Sequence, residues 1–209
     1  MRLVLISDTH TFHKKVYVPD GDVLVHAGDM ALEGSVREVQ ECLDWLNSQP
    51  HSRVVAIAGN HDWAFERHKH QLNIGRVDYL ENSSVNIYGK NFYGSPVQPW
   101  FFNWAFNVRR GAEIKKYWDM IPDSGLVDVL ITHGPPMGVL DQSASYKGSD
   151  HLGCEDLYNK VEISKPLVHV FGHIHGSYGN LKQNNVHFVN ASVVDEAYRV
   201  VNAPYVVDI

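Results

Sequence analysis

Leu3-Val4-Leu5-Ile6-Ser7-Asp8-Thr9-His10 joins an unbroken aliphatic run to two side chains able to bind a metal, and the same junction recurs along the chain. A short aliphatic run closed by polar residues reads as a buried strand. Asp8 and His10 stand two residues apart, and in extended backbone such residues project to the same side, so both can reach one ion. Val23 to Val25 leads into Gly28-Asp29, and Val54 to Ile57 into Gly59-Asn60-His61-Asp62. Val127 to Ile131 precedes His133, within Thr132-His133-Gly134. Val168 to Phe171 precedes Gly172-His173-Ile174-His175, where two histidines again stand two apart. The glycines beside these groups permit tight turns and close backbone approach.

Strands that are apolar on both faces fit a sheet covered on both sides. Helices lie between some of them. Ser35 followed by Glu38 has the spacing of a capping box, Val36, Val39, Leu43 and Leu46 keep to one helical face, and Pro50 marks the end. Gly111 to Met120 and Cys154 to Ile163 read as two more short helices. Tyr79 to Tyr93 and Val186 to Ile209 read as further strands and hairpins. Strands alternating with helices, then β-rich additions, suggest an α/β fold with a sheet-on-sheet core flanked by helices. With 209 residues and no linker, internal repeat or low-complexity segment, a single domain over 1–209 is expected.

A hydrophobic fraction of 44% and a charged fraction of 20% are ordinary for a soluble globular protein. The net charge of −6 argues against a stable nucleic-acid complex, which needs Lys and Arg to neutralise phosphates. A small phosphorylated substrate held by a local positive centre remains compatible with it. Thirteen histidines against 18 Lys plus Arg direct attention to metal-ligand spacing. Cys42 and Cys154 form no CxxC pair and read as reduced packing residues. The apolar run after Arg2 is too short for a signal peptide or a membrane span, so a cytoplasmic protein without membrane attachment is expected.

Any one of the strand-end motifs would ordinarily serve a turn or a structural histidine. Five in this order, each after its own apolar run, are hard to assign to chance. The series DxH, GD, GNHD, H and GHxH resembles the calcineurin-like metallophosphoesterase superfamily, with every element intact. Gly94-Ser95-Pro96, Gln98-Pro99-Trp100-Phe101, Ala105-Phe106-Asn107 and Thr132-His133-Gly134-Pro135-Pro136 are similar to the metallophosphoesterase-domain-containing (MPPED) branch. So are Gly153-Cys154, Val170 to His175 and Asn190-Ala191-Ser192, and the likeness extends over nearly the whole chain.

The resemblance implies a four-layer α-β-β-α sandwich, two mixed β-sheets flanked by helices, and two divalent metal ions. Asp8, His10, Asp29 and His175 would hold the first ion. Asp29, Asn60, His133 and His173 would hold the second, with Asp29 bridging the pair. Mixed oxygen and nitrogen ligands suit first-row divalent ions; Mn²⁺ is expected, with Fe²⁺ or Zn²⁺ as alternatives. Two adjacent ions lower the pKa of a shared water, so that hydroxide attacks in line, and they neutralise the phosphoryl oxygens. His61, next to Asn60 but outside the ligand set, is assigned to the leaving group. Asp62 is expected to accept from its imidazole and keep it protonated and oriented.

The branch implies a phosphodiesterase acting on small phosphodiesters, with cyclic nucleotides among the candidates. A phosphomonoesterase or protein phosphatase is the nearest alternative, and an acidic chain without an added DNA-binding segment disfavours a structure-specific nuclease. A binding scaffold that retains only the fold would be expected to have lost a ligand, and none is missing here. Outside the motifs, His13 and His151 lie in loops from which they could reach a substrate phosphate. Trp100 to Phe106 is either an aromatic platform for substrate, with Trp100 as the candidate contact, or core packing. Arg109-Arg110 reads as a solvated pair and His26 as a hydrogen-bonded core residue. His51, His68, His70, His169 and His187 are read as structural or exposed.

Overall fold

Alternate residues of each apolar run face different layers, and this alternation builds the fold. The computed structural model describes residues 1–143 and 151–209. Strands β1 (Arg2–Ile6), β2 (Val23–Ala27), β3 (Arg53–Ile57) and β4 (Asp78–Tyr79) lie parallel in one sheet. The other sheet holds β5 (Ser83–Ile87) and β6 (Lys90–Ser95); a separate short pair, β7 (Gln98–Pro99) and β8 (Asn107–Val108), stands apart from both. The remaining strands are β9 (Val129–Thr132), β10 (Val168–Phe171), β11 (Gly179–Gln183), β12 (Val186–Asn190) and β13 (Tyr205–Asp208). The first sheet has the order β13-β1-β2-β3-β4 and the second β11-β12-β10-β9-β6-β5. Both are mixed: β13 is antiparallel to β1, and β5–β6 and β11–β12 are antiparallel hairpins beside parallel neighbours.

Leu3, Leu5, Val23, Val25, Val55 and Ile57 pack between the sheets against Phe92, Val129, Ile131, Val168, Val170 and Val189. Their alternates Val4, Ile6, Leu24, Val54 and Ala56 pack outward, against Val39, Cys42, Leu43 and Leu46 of α1 (Val36–Ser48) and Phe65 of α2 (Trp63–Arg67). On the far side, Tyr93, Leu130, Phe171 and Phe188 meet Ile114 and Trp118 of α3 (Ala112–Trp118) and Leu157 and Val161 of α4 (Glu155–Ser164). The result is the expected order of helix, sheet, sheet and helix. Among the described residues no helix is long and apolar enough to cross a membrane.

The capping box is present: Ser35 Oγ accepts from the Glu38 amide, and the Glu38 carboxylate accepts from the Ser35 amide. Other boundaries differ from the sequence reading. β9 starts at Val129, and Val127 instead fills the core under α3 and α4. Within residues 186–209, β12 and β13 do not pair with each other: β12 pairs with β11 before it, β13 crosses to the other sheet, and between them a tight antiparallel bridge joins Val194 to Val200. The two sheets are tied where their strands end: the Ser7 amide donates to the Ala191 carbonyl and the Val193 amide to the Ser7 carbonyl, at 2.9 and 3.0 Å. That edge gathers the five motifs.

Two buried histidines away from the ligand set are structural. His26 Nε2 lies 3.0 Å from Thr9 Oγ1, and its Nδ1 accepts from the Gly28 amide. His169 Nε2 lies 2.8 Å from Thr132 Oγ1, and its ring packs against Phe171 and Phe188. Burial pulls both pKa values down to about 3. The unfolded chain takes up these protons near pH 6.5 and the folded chain does not. Their contribution to stability is therefore complete above about pH 6.5 and declines as pH falls toward 3, by up to about 1.4 kcal/mol per pH unit for each group. Urea unfolding at a series of pH values should show a shallower acid decline for His169→Gln; an unchanged slope would place the loss elsewhere.

Candidate metal centre

The candidate ligand residues sit just past the strand ends, and four of them adopt backbone that ordinary side chains seldom take. Asp8, His10, Asp29 and His173 have φ of 55°, 40°, 57° and 68°. Non-glycine residues held in this left-handed region carry strain and concentrate at functional sites. The neighbouring glycines are required for clearance. A Cβ on Gly59 would strike the Asp29 carboxylate and the His133 ring, and one on Gly172 would strike Asp8 and Ser7.

Three of the candidate histidines are aimed by their outer nitrogens. Nδ1 of His10, His133 and His175 lies 3.0, 3.0 and 3.3 Å from the carbonyls of Ala31, Ala27 and Asp195. A carbonyl only accepts, so each Nδ1 carries a proton and Nε2 is the atom that points inward. The inward atoms converge. His10 Nε2 is 3.2 Å from His175 Nε2, and His175 Nε2 is 3.4 Å from Asp8 Oδ1. His133 Nε2 is 2.8 Å from Asn60 Oδ1 and 3.3 Å from Asp29 Oδ2, the oxygen that also stands 3.7 Å from His10 Nε2.

Asp8, His10 and His175 thus form one potential ligand group and Asp29, His133 and His173 another, while a third, His10, Asp29 and His61, lies between them. Lone pairs this close repel unless a cation or a proton lies between them. The donor set of carboxylate, amide and imidazole is one that first-row divalent ions accept, so these residues fit the expected metals. The carboxylates are anchored as well: Ser192 Oγ and the His173 amide donate to Asp8, and the His61 amide donates to Asp29.

Charge balance supports the same conclusion. Burial alone would raise the carboxyl pKa of Asp8, but the His175 hydrogen bond and the His175 and His133 charges hold it well below the usual range. Burial opposes ionisation of Asp29 too, and His133, His61 and His10 overcome it. Burial disfavours a charged His133, yet the Asp29 charge and hydrogen bond raise it to about 9. Burial pulls His10 down to about 4 and His173 to about 3. The two carboxylates stay ionised only beside positive charge, which a metal would supply in place of protons.

Asp62 does not accept from His61. Its oxygens take the amides of Met30, Ala31 and Gly59, at 3.2, 2.9 and 2.8 Å, and tie two ligand loops together. Burial and the Asp29 charge push its pKa up to about 7 against those three bonds. The partner of His61 is the Leu32 carbonyl, 2.6 Å from Nδ1. One face of the His61 ring lies against Trp104, with centroids 4.1 Å apart and 33° between planes, and its edge meets His10.

The candidate ligands open into a cleft of about 350 Å³ whose lining includes Pro99, Trp100, Phe101, Trp104 and Tyr198. The aromatic segment therefore divides. Trp100, with 58% of its surface exposed, and Phe101 face the cleft, whereas Ala105 and Phe106 are core. Arg110, exposed as read, also lines the cleft and donates to the Leu152 and Gly153 carbonyls. His13 is not brought to the cleft: it is buried against Trp45 of α1. Nor is His151, whose Nδ1 lies 2.7 Å from Asp141 Oδ1 while the neighbouring Leu152 forms the wall. The remainder of its loop, 144–150, lies outside the described residues.

Residues 1–177 match the calcineurin-like phosphoesterase family. The chain belongs to that family. It is 38% identical to metallophosphoesterase domain-containing protein 1 of Homo sapiens, across 100% of this chain and 71% of that protein. It is 34% identical to UPF0046 protein K07C11.7 of Caenorhabditis elegans, across 99% of this chain and 74% of that one. Among solved structures, TT1561 of Thermus thermophilus shares the fold at a TM-score of 0.63 and 12% identity, over 90% of this chain and 88% of that one. The chain is accordingly a phosphoesterase with candidate divalent-metal ligands.

Because Asp29 approaches ligands of both outer groups, Asp29→Ala should weaken divalent-ion uptake more than Asp8→Ala in a calorimetric titration. Equal losses would show that Asp29 is not shared.

Proposed function

We propose that the chain is a dinuclear-metal-dependent phosphodiesterase that hydrolyses small phosphodiesters, with cyclic nucleotides among its candidate substrates. The observation that carries this reading is the position of the Asp29 carboxylate between the His10 and His133 nitrogens. Asp8, His10, Asp29 and His175 would hold one ion and Asp29, Asn60, His133 and His173 the other. Mn²⁺ is the ion we favour, ahead of Fe²⁺ and Zn²⁺. When bound, such ions supply a water of lowered pKa and neutralise phosphoryl oxygens.

The chain's own residues supply the rest. His61 acts on the leaving group: its Nδ1 is committed to Leu32, so its Nε2 is the nitrogen left to hydrogen-bond or protonate a departing oxygen. Trp104 keeps that ring from rotating. The apolar wall of Trp100, Phe101 and Trp104 gives an organic ester group a surface beside the phosphate, which favours a diester over inorganic or protein-borne phosphate. Buried, unpaired Cys42 and Cys154 fit a reducing compartment, and we place the protein in the cytoplasm.

With Mn²⁺ added, bis(p-nitrophenyl) phosphate should turn over with a higher kcat/KM than p-nitrophenyl phosphate; a clear monoester preference would replace this reading with that of a phosphomonoesterase. His61→Ala should keep its metal content while kcat falls by about a hundredfold or more. Undiminished turnover would remove His61 from the chemistry.

A further inference from the structure

The turn Asp195–Arg199 lies beyond the last of the five motifs, yet it reaches into the metal centre by two routes. The first is a single backbone carbonyl. The Asp195 oxygen accepts from Nδ1 of His175, at 3.3 Å, and from the amide of Tyr198, at 2.9 Å. The second is the Tyr198 ring. Its centroid lies 4.8 Å from that of His10, 5.4 Å from His175 and 6.5 Å from His61, with all three contacts edge-on. His10 and His175 are the pair whose inward nitrogens approach to 3.2 Å.

The turn is built to hold this arrangement. Asp195 Oδ1 accepts from the amides of Ala197 and Arg199, and Oδ2 accepts from Nε and Nη2 of Arg199, at 2.8 and 2.6 Å. The Asp195 amide returns a bond to the Arg199 carbonyl. Arg199 is 74% exposed, and an ion pair so open to water adds little stability by itself. Its effect is on shape. Inside this frame Tyr198 has φ 58°, a left-handed conformation that is costly for an aromatic residue. Core packing does not demand that cost, since 37% of the residue's surface remains exposed. Strain retained at a cleft residue points to a task at the cleft.

We infer that Tyr198 is a positioning residue for the metal centre, covering His10 and His175 so that both imidazoles keep the orientation in which their Nε2 atoms meet one ion. The inference rests on the metal reading proposed above. The ring excludes water from the outer sides of the two imidazoles, and the shared Asp195 carbonyl fixes His175 and Tyr198 relative to each other. The phenol hydroxyl has no part in this role.

The test is Mn²⁺ titration of the metal-free full chain by calorimetry, with the thermal midpoint of the same apo samples. Tyr198→Gly removes the ring and suits the left-handed backbone. It should bind Mn²⁺ about tenfold more weakly or worse, the range in which outer-shell partners of metal ligands act, while its apo thermal midpoint is equal to or above that of the wild type. Tyr198→Phe should keep wild-type affinity. Wild-type affinity in Tyr198→Gly, or an affinity loss accompanied by a lowered midpoint, overturns the inference and leaves the metal reading standing. A wild-type chain that binds no Mn²⁺ overturns both.

Discussion

The Asp29 carboxylate is buried between imidazoles that approach one of its oxygens from two sides, and the rest of the site is arranged around the cost of keeping it there. Removing a carboxylate from water costs several kcal/mol unless charges and hydrogen bonds replace the lost solvation. Here the His61 amide donates to one oxygen, and His133 and His10 face the other. Without a bound ion the compensation falls to protons, and the Asp29 charge and hydrogen bond raise the His133 pKa to about 9. A divalent cation would make the same compensation with more charge, and it would free the imidazole lone pairs to act as ligands. Holding the Asp29 charge in the interior and offering a cation a place to bind are therefore one problem with one solution.

That solution needs several chain segments placed within a few ångströms of one another, and the layered fold supplies the placement. One face of each central strand packs between the sheets and the other against helices, so the strands have no freedom to slide. Their ends then deliver side chains to one edge from both sheets, where the Ser7–Ala191 and Ser7–Val193 hydrogen bonds stitch the sheets together. The left-handed backbones at Asp8, His10, Asp29 and His173 would relax on a loose scaffold. They persist because the strands behind them are rigid and the glycines beside them leave room.

The sequence disclosed those parts that depend on side-chain identity in regular backbone. Apolar runs revealed β1, β2, β3, β9 and β10, and the residues after them pointed to the candidate ligands that the fold brings together, because period-two geometry makes spacing equivalent to direction. What remained hidden was determined by backbone groups or by folding at a distance. The carbonyls of Ala27, Ala31, Leu32 and Asp195 aim four imidazoles, and a carbonyl leaves no mark on residue identity. Tyr198, and the choice between cleft and core within Trp100 to Phe106, depend on irregular segments whose course no periodicity encodes. His13 illustrates the opposite error: it is close to Asp8 and His10 in sequence, yet the short helical turn at His13–Lys15 carries it to Trp45.

Asp62 shows why adjacency within a motif is a poor guide to partnership. In a tight turn successive side chains diverge, so the residue after His61 is badly placed to touch its ring. Asp62 turns back instead and collects three amides from the loops after β2 and β3. Those loops carry Asp29 and Asn60, one a ligand candidate grouped with His133 and His173 that also faces His10, and the other 2.8 Å from His133. A carboxylate has enough acceptor sites to satisfy several donors at once, and a side chain that only oriented His61 would leave these amides unpaired in the interior, at a cost of about 1–3 kcal/mol each. His61 needs no carboxylate, because the Leu32 carbonyl fixes its tautomer without adding another negative charge to a site already carrying Asp8 and Asp29. The division leaves Asp62 to hold the two loops in register and His61 free to face the cleft.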